Sequence, residues 1–288
     1  MRIVDIIQSE RPGLSFEVSP PSTLIRYDAI KEITEQVAAL HPDFMSVTYG
    51  AGGGTNDFTV PIAANLQDNW NIPTIAHMTC VSSTKERVRS QLDAMRAAGI
   101  NNVLAMRGDI PRNAPPRDQW AYHYGCELVA EVKEYGGFCI GGACYPETHP
   151  ESANQKEDIY HLKLKVDAGC EFLTTQMFFD NNVYYNFLYK IREAGITVPV
   201  VPGIMPVTNG KQIKKVAELS GAALPQRFKY IVDKFGGTPD AMRQAGIIYA
   251  CEQMIDLYAN GVPAIHVYTM NKPLVAAQIH ANLSEIIK

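Results

Sequence analysis

The 288-residue chain carries no excess of basic charge: 26 Lys and Arg against 30 Asp and Glu leave a formal charge of −4 and a pI near 6.0. Without a positive field to neutralise a phosphate backbone, nucleic acid is not an expected partner, and a small diffusible substrate is. Long apolar runs are also missing, at Met1-Arg2-Ile3-Val4-Asp5 and later in the chain. A signal peptide and a membrane span are therefore not expected, and the cytoplasm is the default compartment. Cysteine is sparse: Cys80, Cys126, Cys139, Cys144, Cys170 and Cys251 form no C-x-x-C pair, and most lie in apolar runs where a thiol behaves as a small hydrophobe. No H-E-x-x-H or Cys/His spacing supports a metal site, and no G-x-S-x-G or base-paired Ser or Cys supports a nucleophile.

What is there is an alternation of short apolar or β-branched runs with longer helical patterns, the mark of βα units. The runs predict eight strands: Leu14–Val18, Phe44–Thr48, Thr74–Met78, Asn102–Met106, Phe138–Cys144, Phe172–Gln176, Val198–Pro202 and Ala264–Tyr268. Between them Ile30, Ile33, Val37 and Leu40 share a helix face, as do Val88, Leu92 and Met95, and Ile159, Leu162 and Val166. Helices stop at Ala98-Gly99, Ala168-Gly169, Ala194-Gly195 and Asn260-Gly261, where glycine can take a left-handed conformation and a strand follows at once. Eight such units without a linker predict a (β/α)₈ TIM-type barrel spanning 1–288 as a single domain, with no regulatory domain. Extra helices are expected between the last two strands, at Gln212–Leu219, at Pro225–Phe235 and in a longer one opening at Thr238-Pro239, with Thr as cap.

In this fold the site gathers at the carboxyl ends of the strands. Glu17 ends the first strand in Ser15-Phe16-Glu17-Val18-Ser19-Pro20-Pro21; partly removed from water, a carboxylate there suits general acid work, or else pairs with a barrel cation. The second strand runs into Thr48-Tyr49-Gly50-Ala51-Gly52-Gly53-Gly54-Thr55, a bare-backbone turn that is neither G-x-G-x-x-G nor a P-loop. His77 ends the third strand, a position more often held by a satisfied core histidine. Arg107-Gly108-Asp109 puts a cation and a carboxylate at the mouth, or forms a local turn salt bridge. Gln176, in Thr175-Gln176-Met177-Phe178-Phe179-Asp180, offers an amide that suits a heterocycle, whereas Phe178 and Phe179 read as core.

Taken in order, Phe16–Pro21, Ser46–Gly53, Arg107-Gly108-Asp109, Tyr145-Pro146-Glu147-Thr148-His149-Pro150, Thr175–Asp180 and Pro202-Gly203-Ile204-Met205-Pro206 resemble the methylenetetrahydrofolate reductase family, in its bacterial catalytic-barrel form, over nearly the whole chain. The resemblance implies FAD as cofactor, with Thr48, His77, Arg107, Gly108, Asp109, Tyr124, Tyr145 and His149 around the flavin, Asp158 near the adenosine ribose and Lys165 near the diphosphate. It implies Glu17 as general acid, Asp109 between flavin and pterin, and Gln176, Gln212 and Lys272 on the folate. The implied reaction is ping-pong: NADH or NADPH reduces the flavin, then 5,10-methylenetetrahydrofolate becomes 5-methyltetrahydrofolate, a methyl source for methionine synthesis. A homo-oligomer is expected. Lys272 departs from an arginine of the family pattern at the glutamate tail of the folate, and Val216 from a phenylalanine near the nicotinamide. A non-redox barrel lyase or aldolase using Glu17, and a silent folate-binding subunit, are the alternatives; Glu17, Asp109 and Gln176 all being present argues against silence.

Overall fold

The computed structural model describes residues 1–49, 58–111, 114–213, 216–217 and 221–288, without the side chain of Gln212. The glycine-rich turn at 50–55 and parts of the expected helix Gln212–Leu219 lie outside the described residues.

Parallel strands β1 (Gly13–Val18), β2 (Phe44–Val47), β3 (Thr74–Thr79), β4 (Asn102–Met106), β5 (Cys139–Cys144), β6 (Phe172–Thr175), β7 (Val200–Val201), β8 (Gly203–Ile204) and β9 (Ala264–Tyr268) form one sheet in the order β7-β6-β5-β4-β3-β2-β1-β9-β8. This is the expected TIM-type barrel, with one correction. Val198–Pro202 is not a continuous strand, because Pro202 has no N–H to give a ladder. Its carbonyl still accepts from His266 N at 2.9 Å. The chain thus pairs with β6 before Pro202 and with β9 after it, so the ring closes through the covalent backbone.

Helices α2 (Tyr27–Ala38), α3 (Thr59–Trp70), α4 (Lys85–Ala97), α5 (Gly125–Tyr135), α6 (Gln155–Asp167) and α7 (Asn181–Glu193) follow successive strands, and α10 (Pro273–Leu283) follows β9. Their apolar stripes lie on the barrel as the periodicity predicts; Val37, Val88, Leu92, Met95 and Leu162 all join the large outer core. The four glycines that stop helices have φ between +69° and +131°. Between β8 and β9, α8 (Gln226–Phe235) and α9 (Pro239–Ala259) cover a satellite core of Phe179, Val207, Phe228, Met242 and Tyr249. Phe178 and Phe179 are fully buried, as read. Thr238 precedes α9, but its side chain makes no cap; its carbonyl takes Met242 N at 2.9 Å instead.

A short helix that periodicity did not reveal, α1 (Ile3–Ile7), plugs the base of the barrel. Ile3, Val4 and Ile7 meet the inward-facing Phe44, Ile75, Leu104, Phe172 and Val201. Phe172 reaches the axis because Gly141 has no side chain; a Cβ there would stand 2.4 Å from its ring. Asn102 pins the plug, its Oδ1 accepting from Ile3 N at 2.9 Å while Nδ2 donates to Met1 O and Thr74 O at 3.2 and 3.3 Å. Asn102→Ala strands those buried partners, so it should lower unfolding free energy by about 1–3 kcal/mol. Urea denaturation checks this, and an unchanged midpoint would show that the plug holds without Asn102.

Candidate active site

Period-two alternation decides what faces the barrel axis. On β1, Leu14, Phe16 and Val18 enter the outer core, which turns Ser15 and Glu17 inward. On β9, Ile265 and Val267 point outward, leaving His266 and Tyr268 inside. The register sets Ser15 opposite His266 and Glu17 opposite Tyr268, and on the other side Glu17 opposite Ser46 of β2.

A polar layer results above the apolar plug. Ser15 Oγ lies 2.6 Å from His266 Nδ1, and Ser46 Oγ lies 3.1 Å from His266 Nε2. The Glu17 carboxylate stands above them, 3.7 Å from His266 Nε2 and 3.7 Å from His77 Nε2, with 17% of its side chain exposed. The Thr269 hydroxyl, donating to Glu17 O at 2.6 Å, fixes the strand end. His77 is not the satisfied core histidine its position favoured, for its buried Nε2 has no hydrogen-bond partner among the described residues. Burial pushes this imidazole down to about 4, with Glu17 opposing and His266 reinforcing the effect.

The polar layer floors a cavity of about 560 Å³ lined by Glu17, Thr48, His77, Arg107, Gly108, Asp109, Tyr124, Tyr145, His149, Asp158, Lys165 and Gln176. Twelve residues singled out from the sequence thus meet in one place, carried by the ends of six strands and by the two helices α5 and α6. Arg107 is paired, though not with Asp109: its guanidinium meets Glu151 at 2.5 and 2.6 Å. Gly108 has φ +88°, and a Cβ there would lie 2.8 Å from Thr79 Cβ. His149 Nδ1 accepts from Glu151 N at 3.1 Å, and burial followed by Arg107 holds the ring below the usual histidine range. Asp158 takes His149 N at 3.0 Å and so secures the same loop. Tyr124 stacks on His161, centroids 5.0 Å apart, with Arg117 over its ring. Lys165 passes Gly142 and Gly125, which leave room for its stem, and donates to Ala143 O at 2.6 Å.

One expected residue is elsewhere: Lys272 lines a neighbouring cavity, donating to Thr208 Oγ1 at 2.7 Å. The side chain of Gln212, whose backbone ends a 3-10 turn, lies outside the described residues. Val216 packs at the edge of the satellite core. Sequence reasoning missed Ser15, Ser46, His266, Tyr268, His161 and Glu151 at the cavity and its floor. The first four were readable from strand alternation, since each sits two residues from another inward position, and His161 from helical spacing, one turn from both Asp158 and Lys165 on α6; Glu151 depends on how the loop after β5 folds back.

A family model described as methylenetetrahydrofolate reductase matches residues 2–284. A 5,10-methylenetetrahydrofolate reductase of Pectobacterium carotovorum subsp. carotovorum is 34% identical over 262 residues, 91% of this chain and 87% of that protein. Its Escherichia coli (strain K12) counterpart is also 34% identical, over 90% of this chain and 86% of that protein. A methylenetetrahydrofolate reductase (NADH) 1 of Zea mays is 32% identical; 99% of this chain covers 50% of it. Among solved structures, an uncharacterized protein from Clostridium thermocellum that binds two copies of 5-methyl-5,6,7,8-tetrahydrofolic acid superposes with TM-score 0.64 over 98% of this chain and 99% of that one, at 15% identity. At that identity the likeness is one of fold.

The depressed His77 has a consequence for acid stability. The unfolded chain binds a proton as pH falls below 6.5 while folded His77 stays neutral to about 4. The stability it contributes is complete above 6.5 and is lost at about 1.4 kcal/mol per pH unit as pH falls toward 4. His77→Gln should therefore lose less stability than the native chain between pH 7 and pH 4.5 in urea titrations. Parallel losses in both would mean that His77 is solvated.

Proposed function

The chain belongs to the methylenetetrahydrofolate reductase family, and from that premise we propose that it uses FAD to reduce 5,10-methylenetetrahydrofolate to 5-methyltetrahydrofolate with NADH or NADPH in a ping-pong cycle. The product supplies methyl groups for methionine synthesis. The observation that carries this reading is Glu17, a carboxylate 3.7 Å from two imidazoles at the floor of a cavity that also holds Asp109, Gln176 and Lys165.

The lining fits an FAD. His77 Nε2 is a buried polar atom still wanting a partner. Gly108, at φ +88°, lets the backbone at the cavity wall close against Thr79, where a Cβ would not fit. Among the described residues Lys165 pairs with no carboxylate, its ammonium resting on a carbonyl. Lys165 and Arg107 would face the diphosphate, Asp158 the ribose, and Thr48, Tyr145, His149 and Tyr124 the remaining edges. When bound, this cofactor would supply the redox chemistry that links oxidation of the nicotinamide to reduction of the one-carbon unit.

The chain's own residues supply position and the proton. Gln176, donor and acceptor at once, orients the pterin. Glu17 protonates the departing nitrogen as the C–N bond of the methylene bridge breaks, leaving an iminium cation on the folate that Asp109 stabilises by charge. His266, held between Ser15 and Ser46, keeps the Glu17 carboxyl aimed at the mouth. Solvent returns the proton to Glu17 through its exposed edge.

Glu17→Gln keeps the packing and removes the acid. Reduction of the flavin by NAD(P)H should proceed at near native rate, while reoxidation by methylenetetrahydrofolate slows by about 10²–10⁴-fold. Stopped-flow absorbance separates the halves, and a fall of less than about tenfold removes Glu17 from the mechanism. Lys165→Ala should weaken FAD retention by about 1.5–3 kcal/mol, read from recovery of flavin fluorescence on dilution. A native protein that shows no flavin spectrum even after FAD is added overturns the reading as a whole.

A further inference from the structure

The break at Pro202 leaves one carbonyl of β6 without its ladder partner. Leu173 N donates to Pro199 O, and in an unbroken parallel ladder of that phase Gly203 N would donate to Thr175 O. Gly203 N donates instead to Thr175 Oγ1, at 2.9 Å. The carbonyl, on a residue only 1% exposed, takes the hydroxyl of Tyr268 at 2.5 Å. A phenol from β9 thus makes across the gap the bond that the interrupted strand does not make. Gly203 lets it through, since a Cβ there would lie 2.4 Å from Thr175 O and 2.5 Å from the phenol oxygen.

Thr175 O and Gln176 N belong to one planar peptide unit, and that unit is gripped at both ends. Its N–H donates to Cys144 O at 2.7 Å on the β5 side, and its carbonyl is held by Tyr268 from the other side. The side chain that springs from it is Gln176, which lines the larger cavity. The foot of the strut is firm. Tyr268 stands opposite Glu17 in the β1–β9 ladder, its ring meets His266 edge-on with centroids 5.4 Å apart, and the next residue, Thr269, donates to Glu17 O at 2.6 Å. Burial, and after it the Glu17 carboxylate, pushes the phenol well above its ordinary range, so the proton stays in the bond to Thr175.

We propose that Tyr268 is the positioning residue for Gln176: it fixes the peptide unit from which the amide side chain springs, and with it the span between that amide and Glu17 across the barrel. The assignment rests on the folate reading of the cavity, in which Gln176 orients the heterocycle and Glu17 delivers the proton. Tyr268 then acts on folate binding and not on proton transfer, because the bond it supplies lies on the β6 side. The rival route runs through its edge contact with His266 and would act on Glu17 instead. The two routes leave different kinetic marks.

Tyr268→Phe keeps the ring and removes the strut. Tetrahydrofolate should bind the variant about tenfold more weakly by isothermal titration, in line with the stranding of a buried carbonyl next to the contact residue. KM for the methylene substrate should rise by the same factor, while kcat and its pH profile stay native. FAD affinity, read from flavin fluorescence, should not change. The deciding comparison is a double-mutant cycle with Gln176→Ala: if Tyr268 works through Gln176, removing its hydroxyl in the Gln176→Ala background should cost less than about twofold. A loss of about tenfold that persists in that background overturns the proposal, as does native tetrahydrofolate affinity in Tyr268→Phe. A fall in kcat with a shifted pH profile overturns it too and assigns Tyr268 to His266 and Glu17. A parallel loss of FAD affinity reduces Tyr268 to a residue that merely holds the barrel together. Native tetrahydrofolate affinity in Gln176→Ala alone brings down the folate reading of Gln176, a result distinct from all of these.

Discussion

A slip of one residue between β1 and β9 would turn Glu17 out against the helices and push Phe16 into the barrel. The ladder that prevents it is short, running from Gly13 opposite Ala264 to Glu17 opposite Tyr268. What locks it is the chemistry of the two faces. Leu14, Phe16 and Val18 are all buried in the outer core, so a shifted β1 would exchange three apolar side chains for a serine and a carboxylate. Such an exchange is prohibitive, because buried polar groups without partners each cost a few kcal/mol. Glu17, His266 and the two serines are therefore placed by hydrophobic burial on the opposite face of the strands that carry them.

The break at Pro202 is the second device on which the site depends. A continuous seventh strand would pair with one neighbour along its length, whereas the interrupted one serves β6 and β9 in turn. Gly203 then comes close enough to Thr175 for its N–H to reach the threonine hydroxyl at 2.9 Å, and the Tyr268 hydroxyl donates to Thr175 O at 2.5 Å. A Cβ on Gly203 would lie 2.5 Å from that phenol oxygen. The strand beyond the break leads into the segment that carries Thr208 and Lys211, so the departure from regular barrel geometry coincides with the second cavity.

Charge is distributed unevenly between the two cavities. In the larger, cations and carboxylates are mixed, and Arg107 is already committed to Glu151; the Glu151 carboxyl is held below its usual range by the hydrogen bonds from Arg107. Any anion that engages Arg107 must share or displace Glu151, which leaves Lys165 as the readier cation. The smaller cavity has no lining acid among the described residues, so its field is of one sign.

Much of this was legible in the chain itself. The strands other than the seventh fall within one residue of where β-branched and apolar runs put them, and the glycines after Ala98, Ala168, Ala194 and Asn260 adopt the left-handed conformation expected of helix stops. Both signals are local, set by side-chain period and by the steric freedom of a single residue, so they survive without knowledge of the fold. Residues at strand ends, such as Glu17, His77, Arg107 and Gln176, were likewise findable, because a barrel sends every strand end to one face. Only the closed tertiary structure decided which of them touch. The partnership of Glu17 with His266 spans most of the chain, that of Arg107 with Glu151 depends on the path of one loop, and the pairing of Lys211 with Lys272 across a cavity depends on helices packed over the satellite core. Contacts of that kind follow from barrel closure and loop packing, which act between residues far apart in sequence, and no local pattern records them.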